Sequence, residues 1–372
     1  MYLEHLELAH FRNYDSLALD FSPKTNVLIG ENAQGKTNLL EAVYVLSLAR
    51  SHRTNDDKSL IQWGNDFAKL SGVIQRRVGR LPLEIVLSHK GKRAKINHLE
   101  QKRLSQYVGQ FNVILFAPED LGLVKGSPAG RRRFIDMEFG QINHQYLYNI
   151  TQYRTILRQR NLYLRSLQRH QAKDLVYLEV LSDQLAGFGA EIIWARKDFL
   201  QQMSDYANEQ QQQITQQREQ LVFDYQTVLP IVEIKSSEQL YQYLKAQYQQ
   251  QQKRELQQGT TALGPHRDDI SFMVNGKNVQ TYGSQGQQRT VALSLKLAEI
   301  DMMRAQTGET PVLLLDDVLS ELDDIRQTHL LQTIHNRVQT FLTTTSLDGV
   351  ARDIIGEPTT FTVSSGKIIH QN

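Results

Sequence analysis

The segment Gly30-Glu31-Asn32-Ala33-Gln34-Gly35-Lys36-Thr37 fits the pattern G-x-x-x-x-G-K-[ST], which is typical of a phosphate-binding loop. The apolar run Val27-Leu28-Ile29 directly before it predicts a buried strand. Apolar residues at helical spacing follow the loop between Leu39 and Leu46. Because the motif requires a strand before the loop and a helix after it, these flanks favour a phosphate-binding loop over a chance glycine-rich turn.

The residue types of this loop explain its chemistry. Its glycines allow backbone N–H groups to close around phosphates, and the N-terminus of the following helix adds partial positive charge. Lys36 is expected to reach the β- and γ-phosphates, and the Thr37 hydroxyl is expected to bind Mg²⁺. The sequence therefore predicts a nucleoside triphosphate site in which all eight loop residues are candidate binding residues.

The composition excludes several classes of protein. The 372 residues contain no cysteine, so disulfides, thiolate catalysis and cysteine-ligated zinc are excluded, and a reducing compartment is favoured. Residues 1–6 alternate apolar and polar side chains, which predicts a strand and not a signal peptide. No window approaches roughly 18 uninterrupted apolar residues, so we expect a cytoplasmic protein without a membrane span.

The first third of the chain is rich in strand patterns. Residues 2–11 and 17–21 predict a β-hairpin, and residues 67–98 predict an antiparallel meander. The apolar run at residues 111–116 predicts another buried strand, which Pro118 ends.

The middle of the chain is helical. It contains no proline between Pro128 and Pro230, and apolar residues recur at alternating spacings of four and three in residues 146–167 and 178–199. Two long helices joined near residues 170–174 are therefore expected to form an antiparallel, coiled-coil-like hairpin.

Strand patterns return after Gly264. Residues 270–279 predict a hairpin with an Asn275-Gly276 turn, and residues 312–315 and 340–345 predict buried strands. We expect an α/β fold with a mixed sheet built from both ends of the chain, an antiparallel meander and an inserted helical arm. The expected domains are 1–117 for the first part of a nucleotide-binding head, 118–258 for the arm, and 259–372 for the second part of the head.

A second element of the nucleotide site follows the predicted strand at 312–315. This strand would deliver the Asp316 carboxylate to the Mg²⁺ beside the phosphate loop. Asp317 is the best candidate to orient the attacking water, and Glu321 is a weaker one. Because Asp317 is one methylene shorter than the glutamate expected in a fast hydrolase of this type, we expect slow turnover.

Ser284-Gln285-Gly286-Gln287 precede an apolar helix and suggest a second phosphate cradle. The chain already has one complete cradle, so the economical interpretation is that Ser284, Gly286 and Gln287 cap the γ-phosphate held by another copy. The sequence therefore predicts a homodimer formed on nucleotide. An ordinary capped helix is the alternative.

Two basic segments occur in a chain whose formal net charge is only +2. Such segments favour sequence-independent DNA binding through phosphates, although a solvated surface is the simpler interpretation of either segment alone. The first contains Arg76, Arg77, Arg80, Lys90, Lys92, Arg93, Lys95, Lys102 and Arg103. The second contains Lys125, Arg131, Arg132, Arg133, Arg154, Arg158, Arg160, Arg165 and Arg169.

Over essentially its whole length the chain resembles the RecF family of bacterial DNA-repair proteins. The family has an ABC-type ATPase head related to Rad50 and the structural-maintenance-of-chromosomes (SMC) proteins. The resemblance lies in the phosphate loop, in the Ser284 and Asp316 segments, and in several further motifs. These are Phe11-Arg12-Asn13-Tyr14, Pro118-Glu119-Asp120-Leu121, Lys125-Gly126-Ser127-Pro128, Arg131-Arg132-Arg133-Phe134-Ile135-Asp136 and Gly264-Pro265-His266-Arg267-Asp268-Asp269.

The resemblance implies a P-loop ATPase head of the ABC type, ATP in preference to GTP, and Arg12 as a further nucleotide-binding residue. It also implies ATP-dependent homodimerisation, binding to single-stranded, gapped or double-stranded DNA, and RecR and RecO as partners. The chain departs from the wider ABC pattern in lacking a lid-loop glutamine near residues 116–120 and a histidine after the strand ending near Thr343.

The leading hypothesis is an ATP-dependent DNA clamp, in which ATP closes a dimer around or on DNA and slow hydrolysis releases it. Two other functions are weighed against it. One is a nucleotide-binding scaffold for recombination partners with negligible hydrolysis, which phosphate-release measurements would distinguish. The other is the ATPase subunit of a membrane transporter, which fits the head but not the helical arm.

Overall fold

A computed structural model describes residues 1–346 and 350–371. The chain divides into two compact units. The first contains Met1–Leu123, Tyr206–Gln220 and Gly283–Asn372, and the second contains Val124–Asp205 and Leu221–Tyr282. No helix in the described residues has the length and apolar character needed to cross a membrane.

The described residues form fifteen strands and ten α-helices, besides three short 3-10 helices. The strands are β1 (Tyr2–Phe11), β2 (Tyr14–Asp20), β3 (Thr25–Ile29), β4 (Phe67–Arg76), β5 (Gly79–Ser88), β6 (Gly91–Ile96), β7 (Leu99–Glu100), β8 (Val113–Phe116), β9 (Leu221–Gln226), β10 (Asp269–Val274), β11 (Lys277–Asn278), β12 (Val312–Asp316), β13 (Thr340–Thr344), β14 (Thr359–Ser364) and β15 (Lys367–Gln371). The helices are α1 (Lys36–Leu48), α2 (Leu104–Tyr107), α3 (Pro128–Ile142), α4 (His144–Gln168), α5 (Leu175–Ile214), α6 (Ser237–Gln258), α7 (Val279–Tyr282), α8 (Gln285–Thr307), α9 (Asp324–Ile334) and α10 (Val350–Ile355).

The first unit contains two six-stranded sheets. One has the order β2-β1-β4-β5-β6-β7 and is antiparallel throughout, which confirms the predicted hairpin and meander. The other has the order β15-β14-β3-β13-β12-β8, in which only β15 is antiparallel to its neighbour. The residues of β12 are all buried, as expected of a strand covered on both faces of a parallel sheet.

The register of this mixed sheet positions the residues of the predicted nucleotide site. Thr344 pairs with Ile29, and Asp316 pairs with Thr343, so β3, β13 and β12 end at the same edge. The phosphate loop leaves β3 at this edge, where β12 delivers Asp316. Parallel pairing thus brings Asp316 to the edge where the phosphate loop lies, as the apolar run ending in this acid predicted.

The second unit contains the predicted helical hairpin. Helix α4 ends at Gln168 and α5 begins at Leu175; α5 contributes its residues up to Asp205 to this unit and those from Tyr206 to the first. Arg160 occupies one of the positions at which apolar residues recur along α4, here called the seam. It is fully buried, and its guanidinium donates to Glu255 at 2.6 Å. A buried arginine is tolerated in this apolar seam because its charge has a carboxylate partner.

The hairpin predicted around the Asn275-Gly276 turn is confirmed, but the sheet that it was expected to join is wrong. The predicted hairpin at residues 270–279 does not join the sheets of the nucleotide-binding head. It forms β10 and β11, and β10 pairs with β9 in a separate three-stranded sheet of the second unit. An Asn-Gly turn specifies local pairing but carries no information about which sheet the hairpin joins. The domain boundaries at 117/118 and 258/259 stay a prediction.

The motif Gly264–Asp269 connects elements within the second unit. Arg131 of α3 donates two hydrogen bonds of 2.8 Å to the Asp269 carboxylate. Arg196 of α5 donates to the Pro265 carbonyl oxygen at 2.7 Å. These charge-assisted contacts give the motif a structural role in this unit.

Candidate nucleotide-binding site

The phosphate loop adopts a backbone conformation that depends on its glycines. Gly35 precedes α1 with φ of 118°, a value that side-chain-bearing residues rarely adopt. A Cβ atom on Gly35 would lie 2.6 Å from Asn13 Nδ2, and one on Gly30 would lie 2.4 Å from the Val363 carbonyl oxygen. Glycine is therefore required at both ends of the loop.

Lys36 lies within this loop. Its Nζ donates to the carbonyl oxygens of Gly30 at 2.5 Å and Glu31 at 2.9 Å. Burial lowers the pKa of the Lys36 ammonium, and the negative charges of Asp317 and Asp316 oppose that shift. The side chain is thus held over the loop by two of its carbonyl oxygens.

The two predicted metal ligands meet at this edge of the sheet. Thr37 Oγ1 donates to Asp316 Oδ1 at 2.9 Å, and Thr343 Oγ1 donates to the same oxygen at 2.9 Å. Hydroxyl and carboxylate oxygens are the hard ligands that Mg²⁺ prefers. Thr37 and Asp316 therefore fit a magnesium ion, while Thr343 orients the carboxylate.

Asp317 follows with a left-handed backbone, at φ of 51°, and its N–H donates to Thr343 Oγ1 at 2.9 Å. Burial raises the pKa of the Asp317 carboxyl above its usual value, Asp316 and Glu321 add to this shift, and Lys36 opposes it. Glu321 forms an ion pair of 3.3 Å with Arg289. Asp317, one of the two candidate carboxylates, thus interacts electrostatically with Lys36, whose charge lowers its pKa.

Arg12 is paired with a residue that sequence reasoning missed. Its Nε and Nη2 each donate to the Glu41 carboxylate at 2.8 Å. Burial alone would raise the pKa of the fully buried Glu41, but hydrogen bonds from Arg12 and Ser51 hold it below the usual value. The signal was present in the sequence, because an acid on the buried face of α1 requires a cationic partner. The role of Arg12 in nucleotide binding stays a prediction.

The Ser284 segment caps α8. Ser284 Oγ accepts from the Gln287 N–H at 3.2 Å, and Gln287 Oε1 accepts from the Ser284 N–H at 3.0 Å, which forms a capping box. Gln287 also donates to Glu219 at 2.9 Å, and Arg326 donates to the Gly286 carbonyl oxygen at 2.8 Å. The segment is thus an ordered helix N-terminus, as both interpretations of its sequence require.

Half of the basic residues identified in the sequence are engaged by other groups. Side chains of the first segment contact Glu309, Gly308, Glu4, Asp57 or Glu84, and those of the second contact Asp269, Asp268, Asp136 or Glu255. Within the described part of the chain, nine of the eighteen form neither an ion pair nor a side-chain hydrogen bond. These are Lys90, Arg93, Lys102, Arg103, Lys125, Arg133, Arg158, Arg165 and Arg169.

Comparison of the sequence with known proteins identifies the family that this chain resembles. The family described as "RecF/RecN/SMC N terminal domain" matches residues 2–353. The chain is 66% identical to the DNA replication and repair protein RecF of Latilactobacillus sakei over 100% of this chain and 99% of that protein. It is 61% identical to the RecF protein of Lacticaseibacillus paracasei over 99% of each.

Solved structures agree with this assignment. A structure of the recombination mediator protein RecF with ATP in the RecFOR pathway superposes with a TM-score of 0.92 at 32% identity, covering 100% of this chain and 97% of that chain. An SMC head bound to the C-terminal winged-helix domain of ScpA superposes with a TM-score of 0.56 at 14% identity, covering 98% and 95%, which supports the fold alone. The fold is that of an SMC-type ATPase head, and the chain belongs to the RecF family.

Proposed function

We propose that this protein is an ATP-dependent DNA-binding protein of recombinational repair and replication. It dimerises on ATP at gapped or single-stranded DNA, and slow hydrolysis releases it. The single observation that carries the proposal is the 2.9 Å hydrogen bond between Thr37 of the phosphate loop and Asp316 of β12. This contact supports one site that serves both the phosphates and their metal ion.

ATP and Mg²⁺ are the proposed ligands. RecF relatives are named DNA replication and repair proteins, and a RecF structure solved with ATP superposes on the whole of this chain. Thr37 and Asp316 would hold the metal, which would neutralise charge on the β- and γ-phosphates. The loop N–H groups and Lys36 would bind the phosphates themselves.

The proposed dimer uses the N-terminus of α8 as its second phosphate-binding element. Ser284, Gly286 and Gln287 would cap the γ-phosphate bound by the other copy, because N–H groups at a helix N-terminus favour an anion. Analytical ultracentrifugation with ATP, Mg²⁺ and DNA tests this directly. We expect a monomer without nucleotide and a dimer with saturating ATP.

A matched pair of variants isolates the role of Ser284 in this experiment. Ser284→Arg is expected to abolish dimerisation while leaving ATP binding intact. Ser236→Arg is the control, since Ser236 caps α6 with the same 3.2 Å hydrogen bond and its loss costs a similar ~1 kcal/mol of helix stability. Wild-type protein that stays monomeric with saturating ATP would overturn the proposed dimer.

The DNA-binding surface is proposed to be the exposed face of α4. Arg158, Leu162, Arg165 and Arg169 are all exposed and recur at spacings of four, three and four, so they share one face of the helix. This face extends over about 16 Å at the rise of an α-helix. Three arginines without ion pairs along such a stripe fit successive phosphates without reading base sequence.

Replacing Arg158, Arg165 and Arg169 together with serine is expected to weaken DNA binding and reduce its salt dependence. Loss of three phosphate contacts should lower the slope of log affinity against log salt by about 2 for single-stranded DNA. Fluorescence anisotropy at several salt concentrations measures this slope. The control replaces Lys90, Arg93 and Lys102, three exposed cations of the first basic segment; a larger change in this control would contradict the assignment to α4.

The second candidate function is a nucleotide-binding scaffold for recombination partners, with RecR and RecO proposed by family resemblance. The absence of a lid-loop glutamine near residues 116–120 favours it over fast hydrolysis. Phosphate release in the presence of DNA separates the two functions, because the scaffold hydrolyses ATP negligibly.

A further inference from the structure

The C-terminal hairpin of β14 and β15 contacts the phosphate loop. Its turn residues, Ser365 and Gly366, have φ values of 48° and 71°. The Ser365 N–H donates to Gln34 Oε1 at 2.7 Å, and the Gly366 N–H donates to the Gln34 carbonyl oxygen at 2.9 Å. Gln34 and Ser365 are 331 residues apart, so the last hairpin of the chain reaches back to a loop near its beginning.

The fit between the hairpin and the loop is tight. A Cβ atom on Gly366 would lie 2.2 Å from the Asn13 carbonyl oxygen, and one on Gly30 would lie 2.4 Å from the Val363 carbonyl oxygen. Real Cβ atoms essentially never approach another heavy atom so closely. Gly30 and Gln34 of the phosphate loop, and Asn13 beside it, therefore lie against the backbone of the hairpin.

These contacts orient the peptide group between Gln34 and Gly35 in the phosphate loop. The Gln34 carbonyl oxygen accepts from the Gly366 N–H at 2.9 Å and from Asn13 Nδ2 at 3.2 Å. In a trans peptide the C=O and N–H bonds point in opposite directions, so both donors aim the Gly35 N–H away from the hairpin. The motif binds phosphate through such N–H groups, and the hairpin fixes the direction of one of them before nucleotide arrives.

We propose that the C-terminal hairpin, through Ser365 and Gly366, positions the phosphate loop for nucleotide binding. This inference rests on the proposed nucleotide-binding function and assigns to it positioning residues that do not touch the nucleotide. The contribution is preorganisation: a loop already held in its binding conformation loses less freedom when the phosphates bind.

The test compares two glycines in matching turns. Gly366→Ala adds a methyl group at φ of 71° against Asn13, whereas Gly276→Ala adds one at φ of 76° in the β10–β11 turn with nothing within 4 Å. Both changes carry the same backbone strain, but only the first displaces the phosphate loop. We expect Gly366→Ala to bind a fluorescent ATP analogue about tenfold more weakly than Gly276→Ala. Urea unfolding of both variants shows that the affinities are compared between folded proteins, and Gly366→Ala is expected to have the lower midpoint because its methyl group meets the Asn13 backbone.

A second variant covers the case in which Gly366→Ala does not fold. Gln34→Ala removes the acceptor of the Ser365 N–H at a partly exposed side chain, and we expect analogue binding about threefold weaker than wild type. Equal affinities for Gly366→Ala and Gly276→Ala, or a Gln34→Ala variant with wild-type affinity, would overturn the inference. Wild-type protein that fails to bind the analogue would instead overturn the proposed function itself, and the inference with it.

Discussion

Replacing Lys36 with alanine is expected to weaken ATP binding by a hundredfold or more, equivalent to about 2.7 kcal/mol. The ammonium lies over the loop on the carbonyl oxygens of Gly30 and Glu31, and it is the one side-chain cation of the phosphate-loop motif. Its removal takes away a charge-assisted hydrogen bond to the β- and γ-phosphates in a partly buried site. Titration with a fluorescent ATP analogue in the presence of Mg²⁺ measures the effect.

Two measurements keep this result interpretable. Lys90→Ala removes an exposed lysine without an ion pair in the described residues, so it controls for the loss of one positive charge. Urea unfolding of Lys36→Ala reports whether the empty loop still folds without its two internal hydrogen bonds. A folded Lys36→Ala protein whose affinity lies within threefold of wild type would contradict the assigned site.

The parts of the proposed nucleotide site that are adjacent in the sequence were predictable. A strand, the loop and a helix adjoin in the sequence, and the apolar run before Asp316 identifies the strand that carries the second element. Thr343 was not predictable as the residue that orients the Asp316 carboxylate. Its position depends on β13 lying between β3 and β12, and strand order across a sheet is a tertiary property.

Long-range contacts account for what sequence reasoning missed. The pairing of Arg12 with Glu41 and the contact of Ser365 with Gln34 join segments that no local pattern relates. The sheet expected for the hairpin at residues 270–279 was wrong for the same reason, since β9, the actual neighbour of the hairpin, lies about fifty residues earlier in the chain. Periodicity specifies each element, whereas the packing of faces and edges determines which elements meet.

Replacing Asp317 with asparagine is expected to slow ATP hydrolysis by about a hundredfold while ATP binding stays near wild type. The asparagine keeps the size of the side chain and leaves the backbone N–H contact with Thr343 available, but it cannot accept a proton from the attacking water. Phosphate release in the presence of DNA measures the rate. Glu321→Gln is the control, because Glu321 is the competing carboxylate and forms an ion pair with Arg289.

The same variant decides between clamp and scaffold. If hydrolysis releases the dimer, Asp317→Asn should lengthen the lifetime of the ATP-bound dimer on DNA in proportion to the lost rate. If the protein is a scaffold, release does not depend on hydrolysis, and the lifetimes of wild type and variant should coincide. A larger loss of hydrolysis in Glu321→Gln than in Asp317→Asn would instead move the water-orienting role to Glu321. Asp317 is favoured because its carboxyl and the Lys36 ammonium influence each other's pKa, so the proposed water-orienting group lies in the same electrostatic environment as the proposed phosphate-binding group.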